Sequence, residues 1–484
     1  MIKQINLKII KGKKYLYLLL IIIILMVIRL ILGLITQITA DESYYLLWAK
    51  HLDFSYYDHP GMIAWINFIF LKIFKEPLVS ARIASFSTLI ITLLSIYKII
   101  LLIENNEYLA LSGVLFYLLI PYNFILAIGM GVDQPLIMFG SVAIYYFIKL
   151  LVTENHKYLP ITTIFLALGF LSKYTIVLLI FSMILVVILN KKYRKLLISK
   201  YFIYSLIIFF IIISPFLYWN IKNHFISVKF HAGRVHGSFS TKYFYEFLGV
   251  QLISLSPVAL IFLLYALIFK YKKWKKSYII KIFWIISLTI FLPFLYLSLK
   301  TRVWGHWTAI MYLPISVGIA LTFKKYLGKI NYIMGVFTLI ILIYIGFIDP
   351  GMVKKIPDYK NNYKIKKIIY DIKSNNSGNT YIYADSHGAV GILSYYCGCK
   401  VYFPRGVFSL NRWGSKQFAM WPQPKIKKGD NVIYYFHKTK NNYDKFKSLF
   451  NKVETIDFNF NLIERHITIN RFVVGYSAKK DFTF

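Results

Sequence analysis

Acidic side chains are scarce in this chain of 484 residues: 20 Asp and Glu stand against 57 Lys and Arg, and charged residues of both signs reach only 16%. A soluble globular domain usually carries about 25% charged residues, so that class is disfavoured from the outset. Cysteine is nearly absent as well. The two present, Cys397 and Cys399, stand so close along the chain that they are expected not to bridge each other. No second pair exists to complete a structural zinc site, so a disulfide scaffold and a zinc module are both excluded. The sequence also lacks an internal repeat and a low-complexity linker.

What fills the chain instead is apolar: 58% hydrophobic residues with a mean hydropathy of +0.58. These residues fall in nearly continuous runs such as Tyr15–Leu32 (broken by Arg29), Tyr201–Leu217 and Ile330–Ile348. Runs of about 18 apolar residues mark bilayer-spanning helices. The first run has a basic flank, but it is too long for a signal peptide and lacks a small-residue cleavage site. It is expected to be the first span. The net charge of +37 would suggest nucleic acid in a soluble protein. Here the lysines lie mainly in short loops between apolar runs and in the C-terminal part, so no nucleic-acid partner is implied.

The runs predict a polytopic α-helical membrane protein with about eleven spans. Their expected bounds are 15–37, 80–103, 108–127, 134–152, 158–172, 174–190, 201–219, 247–269, 279–298, 306–323 and 330–348. Lys8, Lys11, Lys13 and Lys14 put the N-terminus in the cytoplasm, and alternation then places the lysine clusters Lys191–Lys195, Lys270–Lys276 and Lys324–Lys329 inside too. The outer segments are then 41–79, 128–133, 220–246, 299–305 and everything from Asp349. These hold most of the chemically interesting Asp, His, Trp and Arg residues. Segment 41–79 includes Met62–Phe74, apolar but too short to span, which predicts helices lying along the interface. Beyond residue 348 the composition turns polar, with strand-like runs at Thr380–Ala384, Lys400–Phe403, Asn431–Phe436 and His466–Tyr476. Two domains are therefore expected: a transmembrane domain at 1–348 and a small extracytoplasmic α/β domain at 349–484.

The densest constellation is Asp41-Glu42-Ser43-Tyr44-Tyr45 at the outer end of the first span, followed by Tyr57-Asp58-His59-Pro60. A carboxylate there can act as a general base or hold a divalent cation. The competing reading is an acidic turn that caps the next helix. Asp133-Gln134-Pro135 looks by itself like an ordinary N-cap with Pro just inside; paired with Asp41 on the same face it becomes a second candidate carboxylate. Lys173 lies between two apolar runs, where it either faces a partner at membrane depth or snorkels from a helix end. Arg234, Lys300, Arg302 and His306 crowd outer loops that the positive-inside bias should deplete of Arg and Lys. Binding an anionic phosphate accounts for them, with headgroup contact as the plainer alternative. The histidines match no strong metal motif.

In this order and spacing the residues resemble the bacterial branch of glycosyltransferase family 39, related to protein O-mannosyltransferases and aminoarabinose transferases. The stretches that carry the resemblance are Asp41–Tyr45 with Trp48, Tyr57–Pro60, Gly131–Leu136, Leu171–Thr175, Trp219-Asn220, Gln251-Leu252 with Ser256-Pro257, Arg302–Trp307, Asn411–Trp413 and Trp421-Pro422. Gly61 departs from the pattern, where a second proline is usual. The resemblance implies a GT-C fold and inverting transfer of a sugar from a polyprenyl-phosphate carrier. It makes Asp41 the base and Asp133 a second acidic residue supporting the site. Glu42, Tyr44, Tyr45, Asp58, His59, Lys173, Arg234, Lys300, Arg302 and His306 become substrate-binding candidates. A divalent metal, if used, would draw on Asp41, Asp133 and His59.

The expected partners are the lipid-linked donor, membrane lipids and an outer acceptor, lipid A or another envelope glycan. The expected place is the inner membrane. Protein O-glycosylation is the alternative within enzymes, and a lipid-linked-sugar flippase or binding protein the alternative outside them. A transporter should show repeat symmetry and midplane polar residues, and neither is evident.

Overall fold

The computed structural model describes residues 2–36, 38–233, 238–270, 272, 276–347, 367, 369–374, 377–384, 386–404, 415–435, 440–457 and 471–483. The helices are α1 (Ile2–Ile35), α2 (Ala40–Lys50), α3 (Met62–Phe74), α4 (Pro77–Glu104), α5 (Glu107–Leu118), α6 (Asp133–Thr153), α7 (Tyr158–Phe170), α8 (Ile176–Leu189), α9 (Lys200–Lys222) and α10 (Ile226–Gly233). After these come α11 (Thr241–Leu255), α12 (Pro257–Phe269), α13 (Tyr278–Leu297), α14 (Tyr312–Thr322) and α15 (Leu327–Phe347). The C-terminal part runs β1 (Thr380–Ala384), α16 (His387–Cys397), β2 (Val401–Tyr402), α17 (Ser415–Met420), β3 (Lys425–Ile426), β4 (Asn431–Tyr435), α18 (Lys440–Ser448), β5 (Phe450–Asp457), β6 (Arg471–Ala478) and β7 (Phe482–Thr483). The chain divides into two compact units: Met1–Leu34, His59–Ile66 and Arg82–Pro350 form a helical unit, and Ile35–Asp58, Asn67–Ala81 and Gly351–Phe484 form an α/β unit.

Among the described residues of the helical unit, five helices are long and apolar enough to cross a membrane: α1 from Lys14, α4, α6, α9 and α13. The span expected at 247–269 is not one straight helix: α11 and α12 meet at a bend of 102°, the form of a broken span or a re-entrant loop. Ser256 adopts φ +84° and Pro257 opens α12, with the Ser256 hydroxyl accepting from the Ala259 N–H. A Ser-Pro pair is a helix-start signal, and here it overrides the unbroken hydropathy. The expected span 108–127 is likewise a helix, α5, followed by a π-helical turn at Tyr122–Leu126. Irregular backbone in an apolar medium needs donors for its carbonyls. Arg29 of α1, buried at 3% exposure, supplies them, its guanidinium donating to Asn123 O (3.1 Å) and Ala127 O (2.5 Å). The break that Arg29 makes in the first apolar run therefore has a structural cause.

Polar pairs tie loops together at the helix ends. Lys192 bonds Glu154 at 2.6 Å, and Lys324 bonds Glu104. Elsewhere Met62 N–H donates to Leu171 O at 3.0 Å, so the start of α3 is pinned to the turn after α7. Large side chains such as Trp284, Phe116, Phe147 and Tyr312 fill the interior.

In the α/β unit a mixed sheet has the order β2-β1-β4-β6-β5. β2, β1 and β4 run parallel, while β6 is antiparallel to β4 and to β5. Its core is built from residues such as Val432, Tyr434, Phe446 and Phe450. The strands expected at 380–384, 400–403 and 431–436 are present as β1, β2 and β4; of 466–476, the part from Arg471 forms β6 and the rest lies outside the described residues.

One cysteine expectation is overturned: Cys397 and Cys399 are bonded to each other. Gly398 between them takes φ +63°, which folds the chain back and brings their Cα atoms to 5.2 Å, within the range a disulfide allows. Unreduced, denatured protein is therefore expected to show no thiol to a thiol-reactive dye and two after reduction. Two thiols before reduction would contradict the bridge.

Candidate functional site

In the α/β unit, α2 carries the first constellation. Thr39 caps it: its hydroxyl accepts from the Glu42 N–H (3.2 Å), and the Glu42 carboxylate accepts from the Thr39 N–H (3.0 Å). This reciprocal capping box commits Glu42 to holding the helix start. Asp41, one position earlier, keeps its side chain 62% exposed, with Oδ1 3.6 Å from Nε2 of His387 on α16. Asp41 sits in the first turn of α2, where the helix dipole favours an acidic residue.

Tyr44 is fully buried, its hydroxyl donating to Asp58 Oδ1 at 3.3 Å. Burial first, then the Asp58 charge, holds this phenol well above its ordinary pKa, so it stays a proton donor. Its ring meets Tyr45, Trp48 and Phe418 at 5.6, 5.0 and 5.6 Å, and His387 edge-on at 5.5 Å. Trp48 stacks on Tyr56 at 3.9 Å. The Tyr57 N–H donates to the Gln417 side chain at 2.6 Å, fixing the segment that leads to Asp58. His51 stacks on Trp421 at 4.6 Å; burial, then Lys400 and Lys50, lower its imidazole below the ordinary value, which keeps it neutral near pH 7.

In the helical unit the central feature is a buried ion pair. Lys173 Nζ lies 2.6 Å from Asp133 Oδ1, with side-chain exposures of 6% and 10%. The N-cap reading of Asp133 is corrected. The residue before it, Val132, is already helical and α6 has no side-chain cap, while Gln134 accepts from the Gly131 N–H (2.8 Å) and orders the loop. The snorkelling reading of Lys173 is corrected too, since it sits in the 171–175 turn between α7 and α8 with its ammonium turned inward. His59 is buried, its ring 5.5 Å from that of His231, which in turn meets Tyr174 at 4.8 Å. Tyr174 donates to Ser227 (2.9 Å) and Ser227 to Asn220 (2.6 Å), giving Trp219-Asn220 a structural part in this chain of contacts.

Two of the remaining candidate cations have contacts of their own. Arg302 forks onto Glu246 at 2.9 and 3.2 Å on the surface, and Lys300 lies over the Tyr296 ring at 5.1 Å. His306 belongs to the tight turn at Gly305–Met311. Arg234 and Asn411–Trp413 lie outside the described residues. Among the described residues no three His, Cys, Asp or Glu side chains come together as a metal would require.

Sequence reasoning missed His387, Gln417 and Glu246. A signal existed only for the first: Ser386-His387 follows strand β1 directly, and Ser386 caps α16 by accepting from the Ala389 N–H at 3.2 Å. A strand leading into a capped helix start is a common place for functional side chains.

The family profile described as dolichyl-phosphate-mannose-protein mannosyltransferase matches residues 58–219. ArnT from Cupriavidus metallidurans, in its crystal structure bound to undecaprenyl phosphate, is similar to this chain with a TM-score of 0.62 and 12% identity, covering 95% of this chain and 97% of ArnT. Its apo structure gives a TM-score of 0.60 and 11% identity over the same shares. No curated protein matches in sequence. At this identity the likeness establishes the fold, which is the GT-C architecture.

Proposed function

We propose that this chain, a membrane glycosyltransferase of the GT-C type, moves a sugar from a polyprenyl-phosphate carrier to an acceptor outside the cytoplasm. The acceptor class we favour is a lipid or glycan of the cell envelope, such as lipid A. The observation that carries the reading is the pair of acids at the start of α2. Glu42 is committed to the capping box while Asp41 stands exposed on a fixed helix end. A carboxylate so held can remove a proton from an incoming hydroxyl or amine as it attacks the anomeric carbon. The new glycosidic bond forms with inversion as the bond to the carrier phosphate breaks. The charge left on that phosphate calls for cationic stabilisation, which we assign to Arg234 and Lys300. Arg302 joins them when it exchanges Glu246 for the phosphate. Asp133 and Lys173 act through each other, as a fixed ion pair that holds the α6 start and the 171–175 turn.

The undecaprenyl phosphate bound to ArnT, a protein of the same fold, supports a carrier of this chemistry. We place the protein in the inner membrane with about eleven spans and the N-terminus inside. The Glu104–Lys324 and Glu154–Lys192 pairs support this, because each joins loops that the lysine distribution puts on the cytoplasmic side. Residues 1–348 then carry the spans, and 349–484 an outer α/β domain. A protein acceptor is the second reading, favoured by the description of the matching family.

The test is transfer of radiolabelled sugar from the total extracted polyprenyl-phosphate sugar pool to envelope fractions. Asp41→Asn is expected to lower transfer by about 10²–10⁴-fold. Label in a lipid or glycan fraction supports the favoured acceptor, and label in protein the second reading. Equal transfer by wild type and Asp41→Asn removes Asp41 as the base. No transfer by wild type, with the donor still bound, moves the protein to the flipping or binding class.

A further inference from the structure

The C-terminal region reaches the proposed base. α16 packs directly on α2, and its first residue, His387, brings Nε2 to 3.6 Å from Asp41 Oδ1. Three features fix His387 there. Ser386 caps the helix from the preceding position, and the Tyr44 ring meets the imidazole edge-on at 5.5 Å and 72°. Gly391, one turn further along α16, lies so near α2 that a Cβ on it would be 2.4 Å from Ser43 Oγ and 2.9 Å from the Tyr44 nitrogen. Tyr44 is itself held by its bond to Asp58. The imidazole therefore stands on a rigid base and is only 22% exposed, against 62% for the carboxylate it faces.

Resting on the proposed transferase reading, we infer that His387 is a positioning residue for Asp41: its Nε2–H directs the carboxylate toward the acceptor. At 3.6 Å the contact exceeds a hydrogen bond, and contacts of this kind commonly tighten in the substrate complex. A donor fixed beside a carboxylate at an exposed helix start favours the orientation that faces it. The α/β region is then part of the reaction apparatus and does more than bind or shield the acceptor. His387 touches the base and not the reacting atoms, so its loss should slow turnover and leave donor affinity unchanged.

The experiment uses full-length protein in detergent and titrates the extracted polyprenyl-phosphate sugar pool at saturating acceptor membranes. His387→Ala is expected to lower apparent kcat by about 10–100-fold, the scale of a misplaced catalytic group, with KM for the donor unchanged. His387→Gln, which keeps an N–H at the Nε2 position, should return kcat to within about fivefold of wild type. If wild type transfers and His387→Ala does so equally fast, or changes KM alone, the inference falls and the transferase reading stands. If Ala and Gln variants are equally impaired, or both lose monodispersity on gel filtration, the residue is structural and the inference also falls. A wild-type protein without transfer overturns both.

Discussion

Replacing Lys173 with methionine is expected to destabilise the protein by about 3–5 kcal/mol, the usual cost of stranding one partner of a buried ion pair. The pair lies inside the helical unit at 2.6 Å, with exposures of 6% and 10%, so neither charge can turn to water when the other is removed. A loss of this size should lower the apparent unfolding midpoint in detergent by roughly 5–10 °C. The double variant Lys173→Met with Asp133→Leu should recover most of it, because replacing both charges with apolar groups is often neutral or favourable. A single variant unfolding at the wild-type midpoint would show the pair to be dispensable. The double variant also separates two roles: if it is stable yet inactive, the charges themselves are needed, and if active, they only fix the α6 start.

How far the sequence foretold this protein depends on the range of the interaction involved. The long spans α1, α4, α6, α9 and α13 were legible because burial in lipid is recorded residue by residue as apolar runs. The 102° bend between α11 and α12 was not, although Ser256-Pro257 carries the local signal. Continuous hydropathy on both sides hides a break that only backbone angles reveal. Arg29 and its partners in and just after the π-helical turn, Asn123 and Ala127, lie 94 and 98 residues apart in sequence, a separation that no window spans.

The candidate site divides the same way. Asp41, Glu42, Tyr44 and Asp58 cluster locally and were found together, but the capping box that separates the duties of Asp41 and Glu42 is a matter of rotamers. Asp133 looked like an N-cap because Pro135 follows it, and its true partner stands 40 residues away. Arg302 attracted a phosphate because its expected side disfavours Arg; Glu246, 56 residues back, gives it a nearer partner. His387 escaped notice because nothing in its own neighbourhood connects it to residue 41.

Adding a side chain at Gly391 is the second change with a large expected effect, and its size follows from how closely α16 approaches α2. The nearest atoms to a Cβ there are Ser43 Oγ at 2.4 Å, Ser43 C at 2.9 Å and Tyr44 N at 2.9 Å. Two of these are backbone and cannot rotate aside. The third is a hydroxyl already engaged, donating to Ala40 O at 2.8 Å. Alanine must therefore push the helices apart, at about 1–3 kcal/mol for such overpacking, and valine must push further. Separation would also carry His387 away from Asp41, so transfer should fall along with stability. Gly335 is the control, with open space around its Cβ position inside α15. Alanine there should be neutral or stabilising by up to about 1 kcal/mol from helix propensity. Unfolding midpoints and transfer rates of Gly391→Ala, Gly391→Val and Gly335→Ala, measured side by side, check this ordering. A Gly391→Val protein as stable and as active as Gly335→Ala would mean that the two helices do not pack as closely as these distances require.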